Sequence, residues 1–123
     1  MAQFDARVER VADSGSQGDV YRVALSGEVN MQVAPELRRT LHEVLEKNPR
    51  EIVVDLAGVP FIDSSGVATL VEALRLQLER EAKLRIENAR ESVRYTFEIT
   101  RLTRPFGMAD ATEESSKKAQ EKP

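Results

Sequence analysis

The chain is expected to fold as a mixed α/β domain: a four- to five-stranded sheet that opens with a β-hairpin and carries about three α-helices. Three observations predict this. Two strand-like segments stand next to each other at the start, joined by a polar turn that contains glycine. After them, short apolar runs alternate with stretches of helical period. The resulting order β-β-α-β-α-β-α requires the later strands to pair in parallel, joined by right-handed crossovers.

Each element has its own signal. Residues 4–11 alternate Phe4, Ala6 and Val8 with polar side chains. Residues 13–19 are turn-forming, and Gly15 and Gly18 can take positive φ without penalty. Val20, Tyr21, Val23 and Leu25 make the second strand of the hairpin. Ser26-Gly27-Glu28-Val29-Asn30 breaks it, and Pro35 then fits the first turn of a helix, where its missing N–H costs nothing. Leu37, Leu41, Val44 and Leu45 form one face of that helix, and Asn48-Pro49 ends it.

Ile52-Val53-Val54-Asp55-Leu56 is β-branched and nearly continuous, the pattern of a strand covered on both faces. A turn through Ala57–Pro60 leads to Phe61-Ile62 and then Asp63-Ser64-Ser65-Gly66. From Val67 the period is helical, with Val67, Leu70, Val71, Leu74 and Leu78 as the apolar stripe and Gln77 among the residues turned away. Lys83–Glu87 alternates as a strand, and Glu91–Leu102 is again helical with Val93, Phe97 and Leu102 inward. Arg104–Met108 closes the domain as a loop or very short strand. The domain thus spans 1–108, and 109–123, drawn mostly from Asp, Thr, Glu, Ser, Lys, Gln and Pro, reads as a disordered polar tail. No internal repeat is present.

Composition removes several function classes. Hydrophobic content is 41%, charged content 32% and net charge −3, which lacks the basic excess of a phosphate-backbone binder, so no direct nucleic-acid partner is expected. Without cysteine there is no thiol chemistry, and the single histidine, His42, reads as a surface or boundary residue of a helix. No metal and no cofactor are expected. Residues 1–7 lack an apolar core, and no run approaches the roughly 18 apolar residues of a membrane span, so the expected address is the cytoplasm without membrane insertion.

The informative segment is Asp63-Ser64-Ser65-Gly66. Asp and Ser are favoured at helix N-caps, so taken alone it reads as a helix start. Gly66, with no Cβ, would let another chain or a ligand approach its backbone closely. A helix N-terminus also carries partial positive charge and free N–H donors, so Ser64 could accept a phosphate without loss of the fold. That phosphate would add about −1.5 to −2 charges beside Asp63 and change the character of the loop surface. A nucleophilic role for Ser64 would need a base, and only His42 is on offer. The Gly-x-Ser-x-Gly elbow is missing, because Ile62 stands where its first glycine would be. Asp55 and Asp63 have no further ligands near them in sequence, and Asp55 reads as feeding a turn.

Val53–Val67, with Asp55-Leu56-Ala57-Gly58-Val59-Pro60-Phe61-Ile62-Asp63-Ser64-Ser65-Gly66 at its centre, resembles the signature stretch of STAS domains, and closely that of bacterial anti-sigma factor antagonists. Leu25–Asn30 resembles the family's Gly-Glu-[hydrophobic]-Asp segment, with Asn30 in place of the acid, and Val93–Phe106 resembles its closing helix. The resemblance implies a STAS-like fold and a transcription regulator that is not an enzyme. In the family, the unphosphorylated antagonist binds an anti-sigma factor that is also a serine kinase. The kinase phosphorylates the serine after the Asp, here Ser64, and a serine phosphatase resets the switch; ATP belongs to the kinase. Carried over, the partner-binding residues would be Asn30, Asp63, Ser64, Ser65, Gly66 and Thr69. Other STAS domains are soluble partners of lipid-transport ABC systems, docking on a permease or ATPase through the same loop and helix.

Overall fold

A computed structural model of the chain describes residues 3–13 and 18–108. The expected turn at residues 14–17, Gly15 included, and the tail from residue 109 lie outside the described residues. The elements are β1 (Asp5–Asp13), β2 (Asp19–Ser26), α1 (Ala34–Leu45), β3 (Glu51–Gly58), α2 (Ser64–Glu79), β4 (Lys83–Glu87) and α3 (Glu91–Ile99). The sheet has four strands in the order β1-β2-β3-β4. β1 and β2 pair antiparallel, with Val8 opposite Val23, while β2–β3 and β3–β4 are parallel. The predicted mixed sheet with three helices is therefore what forms. Gly18, at the edge of the hairpin turn, has φ +92 and so uses the freedom expected of it.

One face of the sheet carries all three helices. Val23 and Leu25 of β2, Ile52, Val54 and Leu56 of β3, and Leu84 and Ile86 of β4 share a single core. It also takes Leu37 and Leu41 from α1, Val67, Leu70 and Leu74 from α2, and Val93 and Phe97 from α3. Phe97 meets Phe106 edge-on, with ring centroids 5.4 Å apart. Residues 104–108 form a turn and not a fifth strand, but the Ile86 N–H donates to the Phe106 carbonyl at 2.9 Å and so occupies the outer edge of β4.

The opposite face corrects the reading of β3 as covered on both sides. Asp55 lies on the second face, paired with charges and half-buried. Val53 is only 3% exposed although no helix covers it. In register it lies between Arg22 of β2 and Arg85 of β4, whose aliphatic stems shield it while their heads stay wet. A continuous apolar run was thus half core and half lining for arginine.

Those arginines tie the strands together. Arg22 donates to Asp55 at 2.8 Å and to Glu87 at 3.0 Å; Arg85 donates to Glu51 at 3.0 Å and also pairs with Glu87. Burial works against the charge of Asp55, but the Ala57 N–H, Arg22 and Asn88 outweigh it and hold the carboxyl below its ordinary value. Arg85 and then Arg22 hold Glu87 below its own. Such groups bind protons more readily in the unfolded chain, so stability present at neutral pH is lost on acidification. The thermal midpoint is expected to hold down to about pH 5 and to fall below the ordinary carboxyl values, 4.5 for Glu87 and 3.8 for Asp55. The D55N/E87Q variant should fall less steeply; an identical acid limb in both proteins would contradict the assignment.

Three helix details also differ from expectation. α2 begins at Ser64, ahead of Val67, because Asp63 caps it. On its last turn Leu78 is 59% exposed and Gln77 is buried instead. The chain doubles back there into β4, and the Gln77 amide donates to the carbonyls of Pro49 (3.2 Å) and Lys83 (2.9 Å), bonds that an apolar side chain could not make. α3 stops at Ile99, before Leu102. Arg101 takes φ +59, and the N–H groups of Leu102 and Arg101 return to the carbonyls of Phe97 and Glu98, a Schellman closure without glycine. Leu102 still packs, half-buried, against the core.

Candidate functional site

Two loops follow the ends of β2 and β3, and backbone hydrogen bonds join them. The Gly27 N–H donates to Gly58 O and the Val29 N–H to Phe61 O, each at 2.9 Å; the Asp63 N–H returns to Val29 O at 3.0 Å. Val29 and Ile62 thereby form a one-pair parallel bridge, and both are buried. Gly27 turns with φ +86, and the Gln3 carbonyl lies where a Cβ would stand, at 2.8 Å.

Asp63 is the fastener of this pair. Its Oδ1 accepts from the N–H groups of Ser65 (2.9 Å) and Gly66 (3.1 Å), and its Oδ2 accepts from the Met31 N–H at 3.1 Å. One carboxylate thus caps α2 and pins the neighbouring loop. Asn30 performs the corresponding local task before α1: its Oδ1 accepts from Gln32 and Val33, and its carbonyl from Val33 and Ala34. This is the turn-forming behaviour expected of Asn at that position.

Ser64 is the first residue of α2 and is exposed. The first-turn donors supposed to greet a phosphate there are largely engaged, since Asp63 already holds Ser65 N and Gly66 N and its carbonyl accepts from Val67 N. A phosphate on Ser64 would stand out into solvent beside the Asp63 carboxylate, leaving the cap intact. Ser65 is half-buried, and its carbonyl accepts from the Thr69 hydroxyl at 2.9 Å. Gly66 is buried, and the close approach its missing Cβ allows is made from within: a Cβ would meet Val29 Cγ1 at 2.6 Å and Ile62 Cγ1 at 2.7 Å.

Ser65 and Thr69 line one wall of a groove of about 590 Å³ between α1 and α2. Met31, Ala34 and Pro35 supply its apolar lining, with Arg38, Arg39 and His42 along the other wall. Beneath them lies a cluster with no sequence signal. Glu72 accepts from Arg38 (3.0 Å) and meets His42 Nε2 at 2.8 Å, and these two, His42 first, hold its carboxyl below the ordinary value. His42 is therefore a half-buried clasp between helices. Among the described residues no hydrogen bond connects it to the Ser64 or Ser65 hydroxyl. Sequence reasoning also missed the exposed apolar pair beside Ser64, Met31 (72% exposed) and Phe61 (51% exposed). Among the described residues no cluster of acidic or histidine side chains is arranged to hold a metal, and no helix is long and apolar enough to cross a membrane.

Comparison with known proteins places this geometry. A protein 28% identical over 101 residues, which are 82% of this chain and 94% of that protein, is the anti-sigma-B factor antagonist of Staphylococcus aureus (strain NCTC 8325 / PS 47). The crystal structure of an anti-sigma factor antagonist from Mycobacterium paratuberculosis superposes with a TM-score of 0.74 at 24% identity, covering 97% of this chain and 96% of that one. The Bacillus cell fate determinant SpoIIAA in its phosphorylated form gives a TM-score of 0.66 at 22% identity, covering 94% and 98%. The family model described as "Mlab, STAS domain" matches residues 12–109, which takes in every element from the end of β1 to the final turn. The chain belongs to the STAS domain family.

Proposed function

We propose that the chain is an anti-sigma factor antagonist: unphosphorylated, it binds an anti-sigma factor/serine kinase, and phosphorylation of Ser64 releases it until a serine phosphatase restores the binding form. The observation that carries this reading is the exposed Ser64 hydroxyl at the first residue of α2, on a loop pair that also exposes Met31 and Phe61. A partner can pack on that neutral, partly apolar surface. A dianion raised beside Asp63 would force the same partner to desolvate two adjacent negative groups, which costs several kcal/mol unless cations answer them. The antagonists among the relatives support the role, and a phosphorylated relative with the same fold supports the idea that the domain tolerates the modification. The chain itself acts by docking, and works in the cytoplasm where its partner is.

The test is the affinity of Ser64→Ala and Ser64→Asp for the purified cognate anti-sigma factor/serine kinase. The alanine variant should bind like the wild type and the aspartate variant at least ~30-fold more weakly, about 2 kcal/mol. Equal affinity of the two variants would remove the switch. A second reading, favoured by the description of the matching family model, is a STAS accessory subunit of a lipid-transport ABC system. Stoichiometric co-purification with a permease and its ATPase, with no affinity for the kinase, would move the assignment there.

A further inference from the structure

On the sheet face without helices, charges pair strand by strand and then stop at the edge. Arg22, Asp55, Arg85, Glu87 and Glu51 are all matched across β2, β3 and β4. On β1 the residues in line with them are Arg7, opposite Ala24, and Glu9, opposite Arg22. Among the described residues neither of these side chains has an ion pair or hydrogen bond, and Arg22 is already committed inward. Both are exposed, and so is Val8 between them, at 41%. β1 is also an open edge: among the described residues no strand lies beyond it, whereas at the outer edge of β4 the Ile86 N–H is taken by the Phe106 carbonyl.

We infer that two copies of this chain associate edge to edge through β1, antiparallel, on a twofold axis at Val8. In that register Arg7 faces the partner's Glu9 and Glu9 faces the partner's Arg7, so both unmatched charges are answered on the same sheet face. Val8 packs on the partner's Val8, and Ala6 lies opposite the partner's Arg10. Shifting the axis to Arg7 or to Glu9 sets like charges directly opposite each other, so the register is selected by charge as well as by the valine. An edge built only to resist pairing would carry one sign of charge, proline or an inward-pointing charge; this edge repels itself in the neighbouring symmetric registers and attracts itself in this one. The irregularity between Arg10 and Ala12 bounds the straight segment at its far end. The product is a continuous sheet with four strands from each copy, all helices on one face, and on the other a pair of Arg7–Glu9 bridges across the seam beside the ion pairs within each copy.

This inference is independent of the role of Ser64, and sedimentation equilibrium of the full chain from about 5 to 500 µM tests it. The wild type should shift from monomer to dimer mass over that range. Arg7→Glu, which sets two pairs of glutamates face to face, should raise the dissociation constant about tenfold or more, and the exchange R7E/E9R should restore it. Circular dichroism and the thermal midpoint report the fold of each variant separately. Because the chain contains no cysteine, Val8→Cys adds a register test. It should form a disulfide-linked dimer on mild oxidation, while Val11→Cys, set opposite the partner's Asp5, should not. A monomer at every concentration would overturn the inference. So would association unchanged by Arg7→Glu, or cross-linking equally efficient from position 11.

Discussion

Gly66→Ala is expected to destabilise the fold by about 2 kcal/mol, although alanine is the better helix former by about 1 kcal/mol. The added methyl would lie 2.6 Å from Val29 Cγ1 and 2.7 Å from Ile62 Cγ1, both well inside contact distance. Neither neighbour can swing clear. Both are branched and buried, and the Val29 backbone is bonded to Phe61 and Asp63 on either side of Ile62. The strain must therefore move α2 away from the two loops, and with it the base on which Ser64 sits. Chemical denaturation measures the loss. A double-mutant cycle with Val29→Ala identifies its cause: removing the clashing methyl should make the two substitutions together less damaging than their sum. An additive cycle, or a Gly66→Ala protein more stable than the wild type, would show that the contact is slack.

Asp63→Ala carries the second large effect, also about 2 kcal/mol. Loss of an N-cap costs typically about 1 kcal/mol and up to about 2, and here the same carboxylate also holds the Met31 N–H. Asp63→Asn should lose roughly half as much, since one amide oxygen can still accept from Ser65 N and Gly66 N but the amide nitrogen faces a donor at Met31. Hydrogen exchange should place the damage locally, with faster exchange at Ser65, Gly66 and Met31 in the alanine variant. Unchanged protection at Met31 would mean that Asp63 serves α2 alone.

The sequence was most legible where one residue's chemistry decides local structure. Alternation in β1 and β2, Pro35 at the start of α1 and the Asp-Ser-Ser-Gly start of α2 all acted as their side chains require. It was least legible where tertiary placement decides. Val53 looked like core, but two arginines that neighbour it only in the sheet cover it. Gln77 looked like surface, but the return of the chain into β4 turned it inward to serve two carbonyls. Gly66 read as open to another chain or a ligand, but Val29 and Ile62 fill that space, because a loop pairing between segments far apart in sequence brings Val29 there. The Arg38–Glu72–His42 clasp joins two helices and leaves no local pattern to read.

Ser64 reads in the sequence as a helix start, which it is, and the modification proposed for it is compatible with that place. The cap belongs to Asp63, so the Ser64 hydroxyl is left exposed and is needed by nothing inside the fold. The most direct measurement is the intact mass of the full chain after incubation with the cognate anti-sigma factor/serine kinase and ATP, with peptide mapping of the product. One phosphate on Ser64, absent from Ser64→Ala and gained without change in the circular dichroism spectrum, is the predicted result. No phosphate on the wild type, or an equal gain in Ser64→Ala, would contradict it.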